Sequence, residues 1–301
     1  MSSAQRALSS AAFITLLGLA FLFGANHVAA RLAFDNGVDV STAVFFRSAV
    51  TAAVIAVLLL AQKRPWRLSV AQWRLLMALG TLISIQSFCI YSAVARLPVA
   101  LALLAFNSYP IWTAFWARAL YGQKPERALL VAMPVILLGL ALALDVVGAA
   151  SGLSVSAHWA RIGVGVIFAL GAAASFSLAL VLTQKNAGDI DPQLRTTVTL
   201  AFTGVVALVA VLLHGGFHLP TNATGWGGLT ALTLFYGVAF SVMFTLLPRL
   251  GVVGNSAIMN VEPVFALALA WLLLGQTVAS IQLVGALIVV GSVMMLGLRR
   301  R

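Results

Sequence analysis

RLGVVGNSAIMNVEPVFALALAWLLLGQ, residues 249–276, is long and apolar enough to cross a bilayer, and its middle holds a carboxylate beside a proline, Glu262-Pro263. A charge at the bilayer centre costs at least ~2.5–3.5 kcal/mol, so a glutamate there marks a functional site by default. Pro263 removes one helical hydrogen bond and frees a carbonyl near Met259. The stretch has an ungapped copy at residues 96–123, RLPVALALLAFNSYPIWTAFWARALYGQ. Arg249 minus Arg96 is 153, and the same offset relates Asn260 to Asn107, Pro263 to Pro110, Gly275 to Gly122 and Gln276 to Gln123. The chain is a duplication in which Glu262 stands where its copy has Tyr109.

Working outward, the offset runs through the whole chain: Gly18 meets Gly171, Phe23 meets Phe176, Val28 meets Val181 and Trp73 meets Trp226. Of 301 residues, 62% are hydrophobic and 8% charged. A soluble domain carries roughly 25% charged residues, so this composition excludes a soluble fold. Apolar runs near ~20 residues recur throughout, the mark of a polytopic helical membrane protein. Ten spans are expected, at roughly 11–34, 41–61, 71–95, 98–119, 127–147, 158–184, 194–214, 226–248, 252–273 and 278–298. Short connections carry the breakers, such as Asp35-Asn36-Gly37 and Asp191-Pro192. The first run is too long for a signal peptide and reads as a span.

The net charge of +11 belongs to the loops rather than to a nucleic-acid surface. With the N-terminus cytoplasmic, that side collects Arg6, Lys63, Arg64, Arg67, Arg74, Arg118, Lys124, Arg127, Lys185, Arg195, Arg249 and the terminal arginines, Arg299 to Arg301. Arg31, Arg47, Arg96 and Arg161 fall to the opposite side. The asymmetry places both termini in the cytoplasm of a multi-pass protein of the cell inner membrane. The halves are 1–150 and 151–301, with five spans each. Five is odd, so the second half enters the membrane inverted, the layout of alternating-access transporters with a midplane site. A single chain supplies both halves, so a monomer suffices.

Ten spans in two halves, and a late span reading E-P-V-F-A-x-x-x-A-W-x-x-L-G, resemble the drug/metabolite transporter superfamily and its EamA domain. By overall look the chain is similar to bacterial aromatic amino-acid exporters within it. The resemblance implies secondary transport of small molecules without a cofactor, and a cavity lined by spans one, three, four, six, eight and nine. One departure stands out: the family often has Glu after the final Gly, where this chain has Gln276.

Glu262 is the leading site residue, sharing a helical face with Asn255, Met259 and Ala266. The copied face holds Ala102, Phe106, Tyr109 and Thr113, so one wall is polar and the other aromatic, which suits an amphipathic substrate. Asn26 and His27 lie in the first span; the histidine can bind substrate, relay a proton or donate to a neighbouring carbonyl. Ser84, Ser87 and Tyr91 form a stripe on the third span, and Tyr236 and Phe240 stack on the eighth, though such aromatics often serve packing. Ser175, Ser177, Thr183 and Gln184 make the sixth span the most polar, and small polar residues equally serve helix packing. His214 and His218 flank two glycines at a span end and read as a loop, not a metal site. No catalytic triad or nucleotide loop is present, so neither an enzyme nor an ATP-driven pump is expected.

The expectation is therefore an all-α secondary transporter in the lipid bilayer, moving a small amphipathic metabolite. Amino acids, aromatic ones included, come first, and drugs or cationic compounds are the rival cargo. A membrane receptor or scaffold is the rival class. Protons are the candidate coupling ion, with Glu262 as their site; a facilitator is the alternative. A reporter active only in the periplasm, fused after Arg301, is expected to be silent, whereas activity would reverse the orientation.

Overall fold

The computed structural model describes residues 10–63, 66–124, 127–145, 154–245 and 261–299. These residues are helical almost throughout. In a bilayer no water can satisfy backbone amides and carbonyls, so each spanning segment closes its own hydrogen bonds. The helices are α1 (Ser10–Phe34), α2 (Val40–Ala61), α3 (Val70–Arg96), α4 (Val99–Phe106), α5 (Tyr109–Tyr121), α6 (Arg127–Ala143), α7 (Val155–Asn186), α8 (Pro192–Leu213), α9 (Ala223–Thr245), α10 (Glu262–Leu274) and α11 (Ser280–Arg299). Seven segments are both long and apolar enough to cross a membrane, α4 and α5 counting together as one; α6, α10 and α11 are apolar but give shorter spans.

Helix starts sit where polar side chains can meet the first free amides. Asp39 accepts from the Thr42 amide at 2.9 Å to begin α2. Ser69 and Gln72 exchange bonds in a capping box at α3. Asp191 accepts from the Gln193 and Leu194 amides at α8.

The duplication is visible in the helix ends. α5 and α10 each have 13 residues, a proline in the first turn and a left-handed glycine behind them, Gly122 at φ 64° and Gly275 at φ 63°. Their first residues, Tyr109 and Glu262, are the offset pair. The fourth span, expected to run unbroken, is instead interrupted between α4 and α5. Pro110 has no amide to give the Phe106 carbonyl. Asn107 closes α4, sending both its backbone amide and its Nδ2 to the Leu103 carbonyl, each at 2.9 Å.

Loop contacts order the two ends of the molecule. Asn36, after α1, meets Thr221 and Asn222 before α9. Arg31 near the end of α1 donates to the Val94 and Leu97 carbonyls at the end of α3. At the start of α3, Gln72 instead donates to Asp189, just past α7, at 2.9 Å. The end of α1 and the end of α7 therefore lie at opposite ends of α3, and α1 and α7 run in opposite directions. Packing follows an exchange pattern: α1 lies on α9 as α7 lies on α3, α1 on α10 as α7 on α5, and α2 on α9 as α8 on α3. The pairs α2 with α8 and α6 with α11 join like to like.

Gln276 belongs to this framework. Pro98 gives α4 no side-chain cap. The Val99 amide donates instead to Gln276 Oε1 at 3.0 Å, across 177 residues. An amide oxygen serves this purpose as well as a carboxylate would. Gln276→Ala is expected to lower unfolding stability in detergent by about 1 kcal/mol, the usual worth of a cap, while Gln276→Glu keeps it, as read by thermal unfolding of the purified protein.

Candidate functional site

The polar side chains of the interior converge where α1, α2, α3, α9 and α10 meet. α1 and α10 approach closely because Gly24 has no side chain: a Cβ there would come 3.0 Å from the Glu262 carbonyl oxygen and 3.1 Å from the Ala266 amide. That closeness sets His27 Nε2 3.5 Å from Glu262 Oε1. The distance suits an ion pair but is long for a hydrogen bond. Glu262 keeps 23% of its side-chain surface accessible and His27 11%, so the pair is largely but not wholly enclosed. His27 Nδ1 is buried without a partner.

Beside it, the His27 ring packs edge-on against Tyr91 at 5.8 Å. The Tyr91 hydroxyl donates to Asn26 Oδ1 at 3.0 Å, and Asn26 Nδ2 donates to the Leu232 carbonyl at 2.6 Å. Asn26 thus ties α1 to α3 and α9, its oxygen accepting one bond and its nitrogen donating one within the frame. Tyr236 and Phe240 stack at 4.4 Å, and both meet Phe23.

The residue that joins these groups is Arg47. Sequence reading placed it with the loop charges opposite the cytoplasm; the structure corrects this. Arg47 lies seven residues into α2, about 10 Å along its axis, and is 2% exposed. Its Cζ lies 4.5 Å from the Tyr91 ring centroid and 4.2 Å from that of Tyr236, cation–π distances. Nη2 donates to Ser87 Oγ at 2.5 Å. The signal was available: the span drawn at 41–61 already enclosed Arg47, and the reasoning applied to Glu262 holds equally for a buried arginine.

Of the expected site residues, Asn26, His27, Tyr91, Tyr236 and Glu262 are brought together. A second group is separate: Phe106, Tyr109 and Phe176 pack with centroids 5.4 to 6.0 Å apart, where α4, α5 and α7 meet. Ser177 donates to the Tyr109 carbonyl at 2.7 Å, and Ser175, beside Phe176, is half-buried. Ala102, like Ala266, is fully buried in the main apolar core rather than on an open wall. Ser84 donates to the Gly80 carbonyl and touches Thr203 Oγ1 at 3.2 Å, so it ties α3 to α8 away from the cluster. Asn255 and Met259 lie outside the described residues. His214 bonds the Ala210 carbonyl through Nδ1 at 2.8 Å, behind which Gly215 and Gly216 turn the chain at positive φ.

Two apolar clefts lie elsewhere. One, between α4, α10 and α11, is lined by Ala100, Leu104, Pro263 and Leu287. The other, between α3 and α8, is lined by Ser84, Phe88 and Phe202. Exposed residues such as Ile85 and Leu287 border them, which places them on the lipid-facing surface. Gly24→Val is expected to push α1 off α10, part His27 from Glu262 and reduce transport at least about tenfold, since a charged contact is worth roughly 1.5–3 kcal/mol; transport rates in proteoliposomes check this.

Residues 10–144 and 163–298 each match the EamA-like transporter family. No curated protein matches the chain. It is similar to a protein of known crystal structure, with 17% sequence identity and a TM-score of 0.63, over 94% of this chain and 97% of that one. A likeness at that identity speaks for the fold alone.

Proposed function

This chain belongs to the EamA-like transporter family, and from that premise we propose that it exports small amphipathic metabolites, amino acids including aromatic ones foremost, by alternating access. The family membership makes it a secondary transporter of small metabolites in a membrane and not an enzyme. The finer reading rests on one observation: the His27–Glu262 pair, inside the helix bundle, sits beside the Tyr91 ring on which Arg47 also packs. An acidic group beside aromatic walls fits an amine carried on an apolar body.

Two inverted five-span halves, 1–150 and 151–301, are the machinery of this reading. Its support is the opposite course of α1 and α7, the exchanged packing pattern and the matched ends of α5 and α10. In this account α4 and α5 together form one broken span of the ten. Broken helices at the midplane bring helix ends to the substrate. Rocking of one half against the other would open the cluster first to one side and then to the other, with both termini in the cytoplasm.

The rival cargo, a purely cationic compound, has Glu262 in its favour and Arg47 against it, because a buried guanidinium repels a second cation. Counterflow in proteoliposomes separates the two. Labelled phenylalanine is expected to accumulate against preloaded unlabelled phenylalanine, and Glu262→Gln to cut the initial rate about tenfold or more, the loss of one charge-assisted bond. Accumulation of a cationic dye without phenylalanine would replace this reading with the rival. The same vesicles under an imposed pH gradient decide coupling. Concentration of substrate that fails in Glu262→Gln assigns the proton to Glu262, while equal distribution in the unaltered protein makes it a facilitator.

A further inference from the structure

Arg47 poses an electrostatic problem that its neighbours leave open. It is 2% exposed inside a membrane span, where an unpaired charge is costly. Among the described residues no acidic side chain lies within ion-pair distance of it; the ion pairs found there join His27 to Glu262, Arg31 to Asp35 and His218 to Asp39. Two tyrosine rings give cation–π attraction, Tyr91 adds a side-chain hydrogen-bonding contact, and one serine takes one N–H. None of these supplies a negative charge. Nε, on the edge of the guanidinium, is buried with no partner.

The surface of α2 around it is unsatisfied in the same way. Ser48 Oγ and Thr51 Oγ1 are buried and without partners. Elsewhere in this chain a helical hydroxyl bonds the carbonyl four residues back, as in Ser84, Thr203 and Thr233. Thr51 stands one turn beyond Arg47 and faces α9 beside Tyr236: a Cβ placed on Gly237 would come 3.4 Å from its Oγ1. Of the six buried side-chain polar atoms without a partner among the described residues, Arg47 Nε, Ser48 Oγ and Thr51 Oγ1 crowd into a little over one turn of α2, and His27 Nδ1 belongs to a ring that also packs on Tyr91.

We propose that Arg47 is the anion subsite of the substrate cavity and holds the substrate's carboxylate. A guanidinium flanked by rings offers its edge, and the planar fork of that edge matches two carboxylate oxygens. Ser87 fixes the fork from behind through Nη2. Thr51 and Ser48 supply hydroxyls on the same helix. This assignment rests on the proposed amino-acid reading and sharpens it: the amine goes to Glu262, the carboxylate to Arg47, and the apolar body lies among Tyr91, Tyr236 and the neighbouring rings. The carboxylate then gives Arg47 the counter-charge that the described residues do not supply, and only a substrate with both groups meets both ends of the site. Substrate-free, the site is expensive to close; substrate-bound, it is not, which favours moving across the membrane loaded.

The test is ligand binding to the purified protein, read as dissociation constants from thermal stabilisation. The probes are phenylalanine, 3-phenylpropanoate, which keeps only the carboxylate, and phenethylamine, which keeps only the amine. Wild-type protein is expected to bind phenylalanine most tightly. Arg47→Lys should weaken phenylalanine and 3-phenylpropanoate at least about tenfold, through loss of a charge-assisted fork, and leave phenethylamine unchanged. Equal weakening of all three probes, or of none, would overturn the assignment of Arg47. Failure of the wild-type protein to bind any of them would overturn the amino-acid reading itself. Should Arg47→Lys not fold, Ser87→Ala serves: it frees the fork without removing charge, and is expected to raise the phenylalanine and 3-phenylpropanoate constants alone.

Discussion

A membrane interior offers no water to a polar group, and the structure depends on how this chain meets that condition. Backbone groups are met by helices, capped at the ends by Asp39, Ser69, Ser154 and Asp191. Most interior hydroxyls are met by the carbonyl of the preceding turn. Among the described residues, what remains unmet is confined to few places, and the largest concentration surrounds Arg47 and His27. A stable scaffold gains nothing from a buried cation facing no anion. A carrier does, because its cargo completes the site and the energy of completion biases which states can cross.

The break between α4 and α5 serves the same end. Pro110 and Pro263 sit at equivalent points of the two halves, and each stands second in a thirteen-residue helix closed by a left-handed glycine. In one half the helix opens with Tyr109 among Phe106 and Phe176; in the other it opens with Glu262 against His27. The two halves share a backbone plan and differ in chemistry. Gln276 shows the halves are also tied by detail, since the loop after α10 caps the start of α4.

Much of this was legible from the residues. Seven spans follow from apolar run length, and the constant offset of 153 between Arg96 and Arg249 carries through to matching helix starts and stops at Tyr109–Tyr121 and Glu262–Leu274. Glu262, His27, Tyr91 and Tyr236 were each identifiable as polar or aromatic groups inside spans. Their convergence was not, because it depends on α1, α3, α9 and α10 meeting, and helix neighbours in a membrane are chosen by small residues such as Gly24 that leave little trace in hydropathy. Arg47 was obscured by the same counting that sets orientation: a basic residue near a span edge is credited to the loop. Ser84 shared a face with Ser87 yet turns to Thr203 on α8, a distinction that helical spacing alone does not draw. The interruption of the fourth span was half-visible: Pro110 announces a missing bond, but the double bond from Asn107 to the Leu103 carbonyl that ends α4 is a tertiary outcome.

The most direct measurement of the central claim is an experimental structure of the protein with phenylalanine bound. The account places the amine within hydrogen-bond distance of Glu262 and the carboxylate on the Arg47 edge, with the ring among Tyr91, Tyr236 and their neighbours. Phenylalanine seated instead in the apolar cleft between α3 and α8, or bound with its carboxylate away from Arg47, would contradict it.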